Sequence, residues 1–395
     1  MKSLLLLSSY YAPETGAAAK RLSAMTRHLQ AKGWQITVVT LLPHHPANVI
    51  YEGFDKPTPV VEIQDGVKIV RYRPWLVPST SLAQRLMAEL VFCWHALLYA
   101  LLHRHDLVFG SSPSMFLGIT ALLAGRLNRM KVVWEVRDLT WLYPRSAGKR
   151  TFGLDMVLEK LMFFVARHVD ALITVSPGFL EYFSRDSKAF VLPNGVTPEL
   201  LARLEPNTQA ELFQGSRPKV LYAGLLGFIQ QLEILIESAK LLPDIDFALI
   251  GDGPEKEALM QKASSLGLSN VTFKAYMDAE TLKEAYREHD IFVSHIRRDD
   301  IHVWTQPSKV WEYMAAGRPV VHAGEGEIAA IIQDNKLGLC PLPGDPVALA
   351  KALRRLVDHP DEARGFAERG RTFVEQHRNR AKLLEKLTGF LSDLT

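Results

Sequence analysis

Cysteine is scarce in this chain of 395 residues, which has only Cys93 and Cys340. The two are far apart and form no CxxC pair, so we expect neither a disulfide framework nor a cysteine-based metal site. Two unpaired thiols fit a reducing cytoplasm. The chain also lacks a run of basic residues and any basic motif interleaved with aromatic residues. This disfavours nucleic-acid binding.

The N-terminal residues do not show the pattern of a signal peptide. Lys2 is followed by the apolar run Ser3–Ser9, which is short and leads into no cleavage site of small residues. The run therefore predicts a buried first strand rather than a secretory leader.

Charge is divided unevenly along the chain, whose formal net charge is +3. Residues 1–200 carry 22 Lys and Arg against 15 Asp and Glu, whereas residues 201–395 carry 24 against 28. A basic first half fits an anionic acceptor or an anionic membrane surface. Chance asymmetry on solvated faces fits it equally well.

The chain is too long for one typical domain, and its 48% hydrophobic content can fill two cores. Strand-like apolar runs alternate with segments of helical period, which predicts α/β architecture with parallel sheets. Each half predicts a doubly wound, Rossmann-like unit, with ligands bound at the carboxyl ends of its strands in a cleft between two facing units. The predicted strands are Ser3–Ser9, Gln35–Thr40, Val67–Tyr72, Leu107–Gly110, Lys131–Val136, Ala171–Val175, Ala189–Leu192, Lys219–Ala223, Phe247–Gly251, Val271–Lys274, Ile291–Ser294 and Pro319–His322.

One long apolar segment, Leu82–Leu102, is interrupted by Arg85, Glu89 and His95. A spanning helix needs about 20 predominantly apolar residues, so these polar side chains disfavour a true span. Two alternatives stay open: a buried helix of the domain core, and an interfacial helix that dips into a bilayer. Phe163–Val165 on a later helix would extend the same apolar surface.

The most informative segment is PSKVWEYMAAGRPVV, residues 307–321. It predicts a short helix with Ser308 as the N-terminal cap, Gly317 as a left-handed stop and Pro319 preventing continuation. The helix N-terminus with Lys309 would attract phosphate, and Glu312 one turn later could accept hydrogen bonds from sugar hydroxyls. The pattern suits a nucleotide sugar, although an ordinary surface helix with a solvated Glu312 is the alternative.

This segment resembles the donor-binding segment of family 4 glycosyltransferases, retaining enzymes of the GT-B fold. It is most similar to the bacterial branch that builds O-antigen, capsule and exopolysaccharide, which includes N-acetyl-L-fucosamine transferases. The resemblance continues in order along the chain, in YYAPETGAAAKR (10–21), WEVRDL (134–139), DALITVS (170–176), LPNGV (192–196), IGDGP (250–254) and PGDP (343–346).

The resemblance implies two Rossmann-like domains. Residues 1–203 would form an acceptor-binding domain, residues 217–375 a donor-binding domain, and residues 204–216 a linker. In the family the C-terminal helix, here residues 376–395, returns to the first domain.

In the first domain, the resemblance implies that Gly16, Ala17 and Arg21 contact the donor. Gly16 lies between the first strand and the first helix, where a glycine would let backbone approach a diphosphate. A plain left-handed turn is the alternative for Gly16. Arg137 and Asp138 fall at a strand end where the family places catalytic groups, and they would orient an acceptor hydroxyl or a phosphate; a structural ion pair is equally compatible.

In the second domain, the resemblance places Gly227 and Gln230 on the donor diphosphate. Many relatives have an arginine and a lysine in this loop, but here Phe228 takes the arginine position and neutral amides the lysine position. Neutral groups bind phosphate more weakly than cations. Gly253, Tyr276 and Met277 fall where the family's main chain contacts the base.

The family usually pairs two glutamates around the helix start. Glu312 matches the second, which reads the ribose, but Trp304 stands at the first, which contacts the transferred sugar. His302, Thr305 and Gln306 are then candidates for the sugar contact, beside Ser308 and Lys309. We expect no cofactor and no metal, because Asp299 and Asp300 lack the context of a metal-binding carboxylate motif.

Together these features predict a metal-independent, retaining glycosyltransferase of hexosyl or N-acetylhexosaminyl type. The donor would be a UDP-linked sugar, for which deoxy and N-acetylated sugars are candidates, and the acceptor would be a polyprenyl-diphosphate-linked sugar or growing polysaccharide. The enzyme would work at the inner face of the cytoplasmic membrane without spanning it. The alternatives are a UDP-sugar 2-epimerase of the same architecture, and a catalytically impaired scaffold, suggested by Trp304 and the missing cations.

Overall fold

The computed structural model describes residues 1–45, 48–77, 82–142, 153–184, 188–204, 212–275, 277, 279–298, 302–304 and 306–395. These residues divide into two compact units. Unit 1 comprises Met1–Leu192 together with Leu384–Thr395, and unit 2 comprises Pro193–Leu383. Both are α/β with largely parallel sheets, as predicted from the alternating pattern.

Unit 1 is built on an eight-stranded sheet with the order β3-β4-β2-β1-β5-β6-β7-β8, in which only β3 runs antiparallel to its neighbour. The strands are β1 Ser3–Leu7, β2 Gln35–Leu41, β3 Val60–Gln64, β4 Val67–Tyr72, β5 Leu107–Ser111, β6 Lys131–Val136, β7 Ala171–Thr174 and β8 Ala189–Val191. The helices between them are α1 Ala17–Ala31, α2 Leu82–Leu102, α3 Phe116–Asn128, α4 Leu154–His168 and α5 Pro177–Tyr182.

The core of unit 1 is centred on β1, whose side chains Leu4–Leu7 are fully buried. β1 pairs in parallel with β2 on one side and with β5 on the other. A strand covered on both faces reads as a continuous apolar run rather than an alternating one. This is why the first residues of the chain form a central strand.

Unit 2 is built on a six-stranded parallel sheet with the order β11-β10-β9-β12-β13-β14. The strands are β9 Lys219–Ala223, β10 Asp246–Ile250, β11 Val271–Lys274, β12 Ile291–His295, β13 Val320–Ala323 and β14 Gly338–Leu339. The helices are α6 Pro198–Arg203, α7 Glu233–Lys240, α8 Lys256–Ser265, α9 Ala279–Glu288, α10 Ser308–Ala315, α11 Glu327–Asp334, α12 Pro346–Asp358, α13 Pro360–His377 and α14 Arg380–Ser392, whose residues from Leu384 belong to unit 1.

The two ends of unit 2 lie side by side. The amide of Val196 donates to the carbonyl of Arg378 (2.8 Å), and the amide of Arg380 donates to the carbonyl of Val196 (2.9 Å). Gly195 lies so close that a Cβ there would be 2.5 Å from the Arg378 carbonyl oxygen. The segments through which the chain enters and leaves unit 2 are therefore hydrogen-bonded to each other.

Residues 193–203 belong to unit 2, whereas the sequence analysis placed them in the first domain. The reason is packing, because Val196 and Leu201 are buried in the unit 2 core beside Met314 and Val374. The acceptor-binding and donor-binding roles of the two domains stay predictions.

Candidate functional site

Two loops at the carboxyl ends of β9 and β10 are joined by backbone hydrogen bonds. The amide of Gly224 donates to Ile250, and the amide of Leu226 donates to Asp252, both at 2.9 Å. A Cβ on Gly251, whose φ is +150°, would lie 1.9 Å from the Gly224 carbonyl oxygen. A Cβ on Gly253, with φ +153°, would lie 2.3 Å from the Leu226 carbonyl oxygen. These glycines are required because two backbones meet there.

The helix α10 begins at Ser308, and Pro307 is its N-cap with φ −64° and ψ 120°. The prediction that Ser308 caps this helix is wrong, since Ser308 is already helical and no side chain makes a cap hydrogen bond. The first backbone N–H groups of α10 therefore have no side-chain cap and point out of the N-terminal end of the helix. Gly317, with φ +66°, ends the segment in the left-handed conformation, as predicted.

Lys309 lies directly beneath the first of these loops. Its ammonium is 2.5 Å from the hydroxyl of Tyr222 and 4.0 Å from the centroid of the same ring. A Cβ on Gly224 would be only 2.6 Å from the Lys309 ammonium, so this glycine leaves room for the cation. Burial lowers the pKa of Lys309 to about 7, although the nearby Glu312 opposes the shift.

Tyr313 fixes α10 to the sheet. Its hydroxyl donates to the Ala223 carbonyl (2.9 Å) and accepts from the Ala223 amide (2.8 Å), at the last residue of β9. Glu312, the residue before it, is half-buried and follows Lys309 by one helical turn. The structure thus brings Lys309 and Glu312 to the carboxyl end of β9, where ligands of parallel sheets bind.

His295 connects three segments around the same edge. Its Nδ1 lies 3.0 Å from the carbonyl oxygen of Gln230, and its Nε2 accepts from the amide of Gly344 (3.1 Å). Nδ1 therefore carries the proton and donates to Gln230. Burial lowers the pKa of His295 to about 4, so the ring is neutral at physiological pH. This residue ends a buried strand, but the sequence analysis did not identify it.

Gln306 lies at the start of the α10 segment and is buried. Its carbonyl accepts a hydrogen bond from the side-chain amide of Asn194 (2.8 Å). The buried Oε1 atoms of Gln306 and Gln230 have no hydrogen-bond partner in the described part of the chain. Buried acceptors of this kind are usually satisfied in the working protein by water or ligand.

The other predicted donor residues of unit 2 are less informative. Trp304 is half-buried in the 3₁₀ turn His302–Trp304, and Gly227 precedes another such turn with an ordinary φ of −128°. Met277 packs against the core. Tyr276, Asp299, Asp300, Thr305 and the side chain of His302 lie outside the described residues.

In unit 1, Gly16 is the N-cap of α1 with φ −62° and ψ 155°, and Ala17 is the first helical residue. The left-handed turn considered for Gly16 is therefore wrong. A Cβ there would be 3.6 Å from the His45 ring, an ordinary contact, so backbone geometry does not demand glycine. The buried Glu14 holds the preceding loop, because its Oε1 accepts the amides of His44 and His45 at 2.9 Å.

Arg21 and Arg137 share the carboxylate of Glu135, which is fully buried on β6. Arg21 Nε lies 2.9 Å from Glu135 Oε1, and Arg137 Nε lies 3.7 Å from Oε2. The two guanidinium groups, Arg21 foremost, hold the pKa of Glu135 below its usual value despite burial. Ser111 Oγ donates to Oε2 as well (2.6 Å). The cluster was not predicted, although Glu135 is a carboxylate inside the largely apolar strand Lys131–Val136 and could have indicated it.

Arg137 forms an ion pair with Glu135, whereas the structural ion pair considered from the sequence was with its neighbour Asp138. The guanidinium also donates to the Ser112 carbonyl, and Asp138 follows in a half-exposed position. Arg21 donates to the Leu192 carbonyl (2.7 Å) and so ties α1 to the end of the sheet. The catalytic role of Arg137 and Asp138 and the donor contacts of Gly16, Ala17 and Arg21 stay predictions.

The helix α2 exposes apolar side chains to solvent although its inner face, with Phe92, Ala96 and Ala100, is apolar too. Glu89 turns inward and accepts from Ser114 (2.8 Å), and His95 stacks on Tyr72 with ring centroids 4.7 Å apart. Helices α2, α3 and α4 pack side by side. Their exposed side chains, here called the apolar face, include Met87, Leu90, Trp94, Leu98, Leu102, Leu123, Leu127, Leu154, Met156, Val157 and Phe164.

Within the described residues, Gln84–Leu102 is the one helix long and apolar enough to cross a membrane by length and composition. No group of three His, Cys, Asp or Glu side chains in the described part of the chain is arranged to hold a metal ion. The expectation of metal independence stays a prediction.

Two family models match consecutive parts of the chain. The model described as "Glycosyl transferase 4-like domain" matches residues 16–195, and the model described as "Glycosyl transferases group 1" matches residues 217–359. The first lies almost wholly within unit 1, and the second lies within unit 2 and includes the site around Lys309.

Two curated relatives span nearly the whole chain. WcaI of Escherichia coli K12, provisionally named a colanic acid biosynthesis glycosyl transferase, is 24% identical and covers 93% of this chain and 95% of its own. The GDP-mannose-dependent alpha-(1-6)-phosphatidylinositol monomannoside mannosyltransferase of Mycolicibacterium smegmatis is 25% identical and covers 98% of both chains.

Solved structures resemble the whole chain too. The sucrose-phosphate synthase of Thermosynechococcus elongatus superposes with a TM-score of 0.80 at 18% identity, covering 100% of this chain and 99% of its own. Anabaena HepE, solved in complex with UDP, superposes with a TM-score of 0.70 at 17% identity, covering 100% of both chains. These likenesses show that the chain has the GT-B fold, as predicted.

Proposed function

The chain is a glycosyltransferase of the GT-B fold with a 4-like domain followed by a group 1 domain, and we propose that it uses a UDP-linked sugar and acts with retention. The acceptor in this proposal is a polyprenyl-diphosphate-linked sugar or a growing surface polysaccharide. Relatives named for colanic acid synthesis and for mannosylation of a phosphatidylinositol mannoside support an acceptor of this class.

The observation that carries the proposal is the placement of Lys309. Its ammonium lies at Gly224, in the loop that follows β9, and at the start of a helix without a side-chain cap. A cation, helix amides and close backbone are the elements that bind a diphosphate. UDP is the nucleotide bound by a structural relative, and it is the nucleotide proposed here.

In this proposal catalysis rests on positioning and on stabilisation of the leaving diphosphate. Lys309 and the amides of α10 neutralise the charge that develops as the sugar departs. Glu312 accepts hydrogen bonds from the ribose hydroxyls, and Arg137 with Asp138 orients the acceptor. The acceptor oxygen bonds to the anomeric carbon on the face that the diphosphate leaves, the bond from that carbon to the diphosphate oxygen breaks, and the departing diphosphate takes the proton of the acceptor hydroxyl. No metal or cofactor takes part in this proposal.

Trp304 suggests the class of sugar. An aromatic side chain at the position where relatives contact the sugar through a glutamate favours a sugar with an apolar patch. We therefore propose a deoxy or N-acetylated hexose, as transferred by the N-acetyl-L-fucosamine branch. Turnover of plain UDP-glucose with no turnover of deoxy or acetamido donors would contradict this choice.

We also propose that the enzyme works at the cytoplasmic face of the membrane. The apolar face on α2, α3 and α4 would contact the acyl region, and Glu89 turns away from it. Exposed basic side chains on or next to the same helices fit anionic headgroups, each contributing about 1 kcal/mol near the surface. They are Arg85, Arg104, Arg126, Arg129, Lys160 and Arg167.

The deciding experiment is incubation of the purified chain with a panel of UDP-sugars and GDP-sugars, with and without lipid-linked saccharides. Slow hydrolysis of one donor, and faster transfer with an acceptor, is expected. Isomerised nucleotide sugar without an acceptor would indicate the 2-epimerase. Nucleotide binding without hydrolysis, transfer or isomerisation would indicate the scaffold.

A further inference from the structure

A second cation, Arg297, contacts the middle of the loop that follows β9. The guanidinium carbon of Arg297 is 4.4 Å from the centroid of the Phe228 ring, and 62% of Phe228 is exposed. The amide of Arg297 donates to the carbonyl of Ile229 (2.9 Å). Arg297 follows β12, so this strand delivers a basic side chain to a loop that follows β9.

Arg297 has no carboxylate partner among the described residues. Its neighbour Arg298 differs, because Arg298 Nε lies 3.3 Å from Glu325 Oε2. An aromatic ring attracts a guanidinium without neutralising its charge. Arg297 is therefore a positioned cation that no carboxylate of the described residues neutralises.

The loop that receives this cation has no charge of its own. Residues 224–231 read GLLGFIQQ, with two glycines and no basic or acidic side chain. Lys309 lies at Gly224, the first residue of the loop, and Arg297 lies on Phe228, after the second glycine. Cations that contact the same uncharged loop favour the binding of an anion there.

We propose that Arg297 binds the diphosphate of the nucleotide-sugar donor, together with Lys309. The inference deepens the proposed function and rests on it. Guanidinium groups bind phosphate through paired N–H donors, which an ammonium cannot do. Phe228 then serves as the platform that sets the plane of the guanidinium, so an aromatic residue in this loop is part of the anion site.

The test measures binding of UDP and of uridine to the full chain by calorimetry, with GDP and guanosine in parallel. Arg297→Gln should weaken binding of the diphosphate by about 10- to 100-fold and leave binding of the nucleoside unchanged. Arg298→Gln is the matched control, because it removes a neighbouring arginine that is paired with Glu325, and its affinity should stay within about twofold of the wild type.

A rescue variant separates binding from folding. In Phe228→Arg combined with Arg297→Gln, the loop carries its own guanidinium, and diphosphate affinity should recover. If Arg297→Gln binds the diphosphate as tightly as the wild type does, the proposal for Arg297 is wrong, but the proposed function stands. The same holds if the variant loses affinity for the diphosphate and for the nucleoside by the same factor. Absence of nucleotide binding to the wild type would overturn the proposed function as well.

Discussion

The ammonium of Lys309 lies against the ring and the hydroxyl of Tyr222, two neutral groups. A lysine held in this way is poorly solvated, and its pKa falls to about 7. A bound diphosphate would supply the anion and raise this pKa again. The unliganded protein thus keeps a cation that is only half ionised near neutral pH.

Nucleotide binding should therefore take up a proton. Below pH 7 Lys309 is already protonated, whereas above pH 7 it must gain a proton when UDP binds, so affinity should fall as pH rises from 7 to 9. Calorimetry at pH 8 in Tris and in HEPES should give binding enthalpies that differ by the number of protons taken up, at most about one, multiplied by the difference between the two buffers' ionisation enthalpies. Lys309→Met should bind more weakly and lose this dependence; a buffer-independent enthalpy in the wild type would contradict the prediction.

Glu312→Gln should weaken UDP binding by about tenfold or more with little loss of stability, because Glu312 is half-buried at the proposed ribose contact. The 2′,3′-dideoxy analogue of UDP provides the control ligand. The wild type should prefer UDP over this analogue, and the variant should bind both alike. Unchanged preference in the variant would remove Glu312 from the ribose site.

Gly251→Ala should destabilise unit 2 by about 2–4 kcal/mol and abolish nucleotide binding. The added Cβ would lie 1.9 Å from the Gly224 carbonyl oxygen, at a φ of +150° that other residues rarely adopt. Gly16→Ala is the contrasting variant, since its Cβ would make only an ordinary contact with His45. Denaturant unfolding should show a large loss for the first and a small change for the second.

Glu135→Gln should destabilise unit 1 by about 3–5 kcal/mol, since it leaves two buried guanidinium groups short of their anion. The lowered pKa of Glu135 means that its stabilisation is present above the unfolded pKa and is lost as pH falls through the folded one. Asp55→Asn is the control, because the Asp55–Arg73 pair is exposed and contributes about 1 kcal/mol or less. Equal losses for the two variants, measured by urea unfolding, would exclude the buried network as a major source of stability.

Replacing Trp94 and Leu98 by serine should reduce binding to vesicles that contain anionic lipid. These side chains are exposed on α2, and their burial in a bilayer removes apolar surface from water. Flotation at low and high salt measures the effect, and Leu342→Ser, at an exposed apolar position of unit 2, is the matched control. If the wild type, the Trp94 and Leu98 variant and Leu342→Ser bind vesicles equally, the apolar face does not contact the membrane.

Much of the fold was predictable because the central strands are buried on both faces. β4, β6, β9 and β11 have the predicted bounds. The edge strand β3 was missed, because Val61 and Ile63 are 58% and 77% exposed and no buried face marks it. The edge strand β11 was located although the core covers it only partly, because VTFK alternates half-buried apolar side chains with exposed polar ones.

The site was predictable where its residues are adjacent in sequence. Lys309, Glu312 and Gly317 share one helix and its end, so spacing was informative. The contact of Arg297 with Phe228 depends on β12 pairing with β9, and no local pattern encodes that neighbourhood. The wrong cap assignment at Ser308 was a shift of one residue, since Pro307 takes the cap position.

The pairing of Val196 with Arg378 and Arg380 has a consequence for how such a protein can change over generations. Unit 2 is one contiguous stretch of the chain, Pro193–Leu383, so a single gene segment encodes it. The chain also enters and leaves this unit at neighbouring points. Segments whose ends meet are tolerated as insertions. Recombination could therefore exchange unit 2 as a whole while the sheet of unit 1 keeps its chain path.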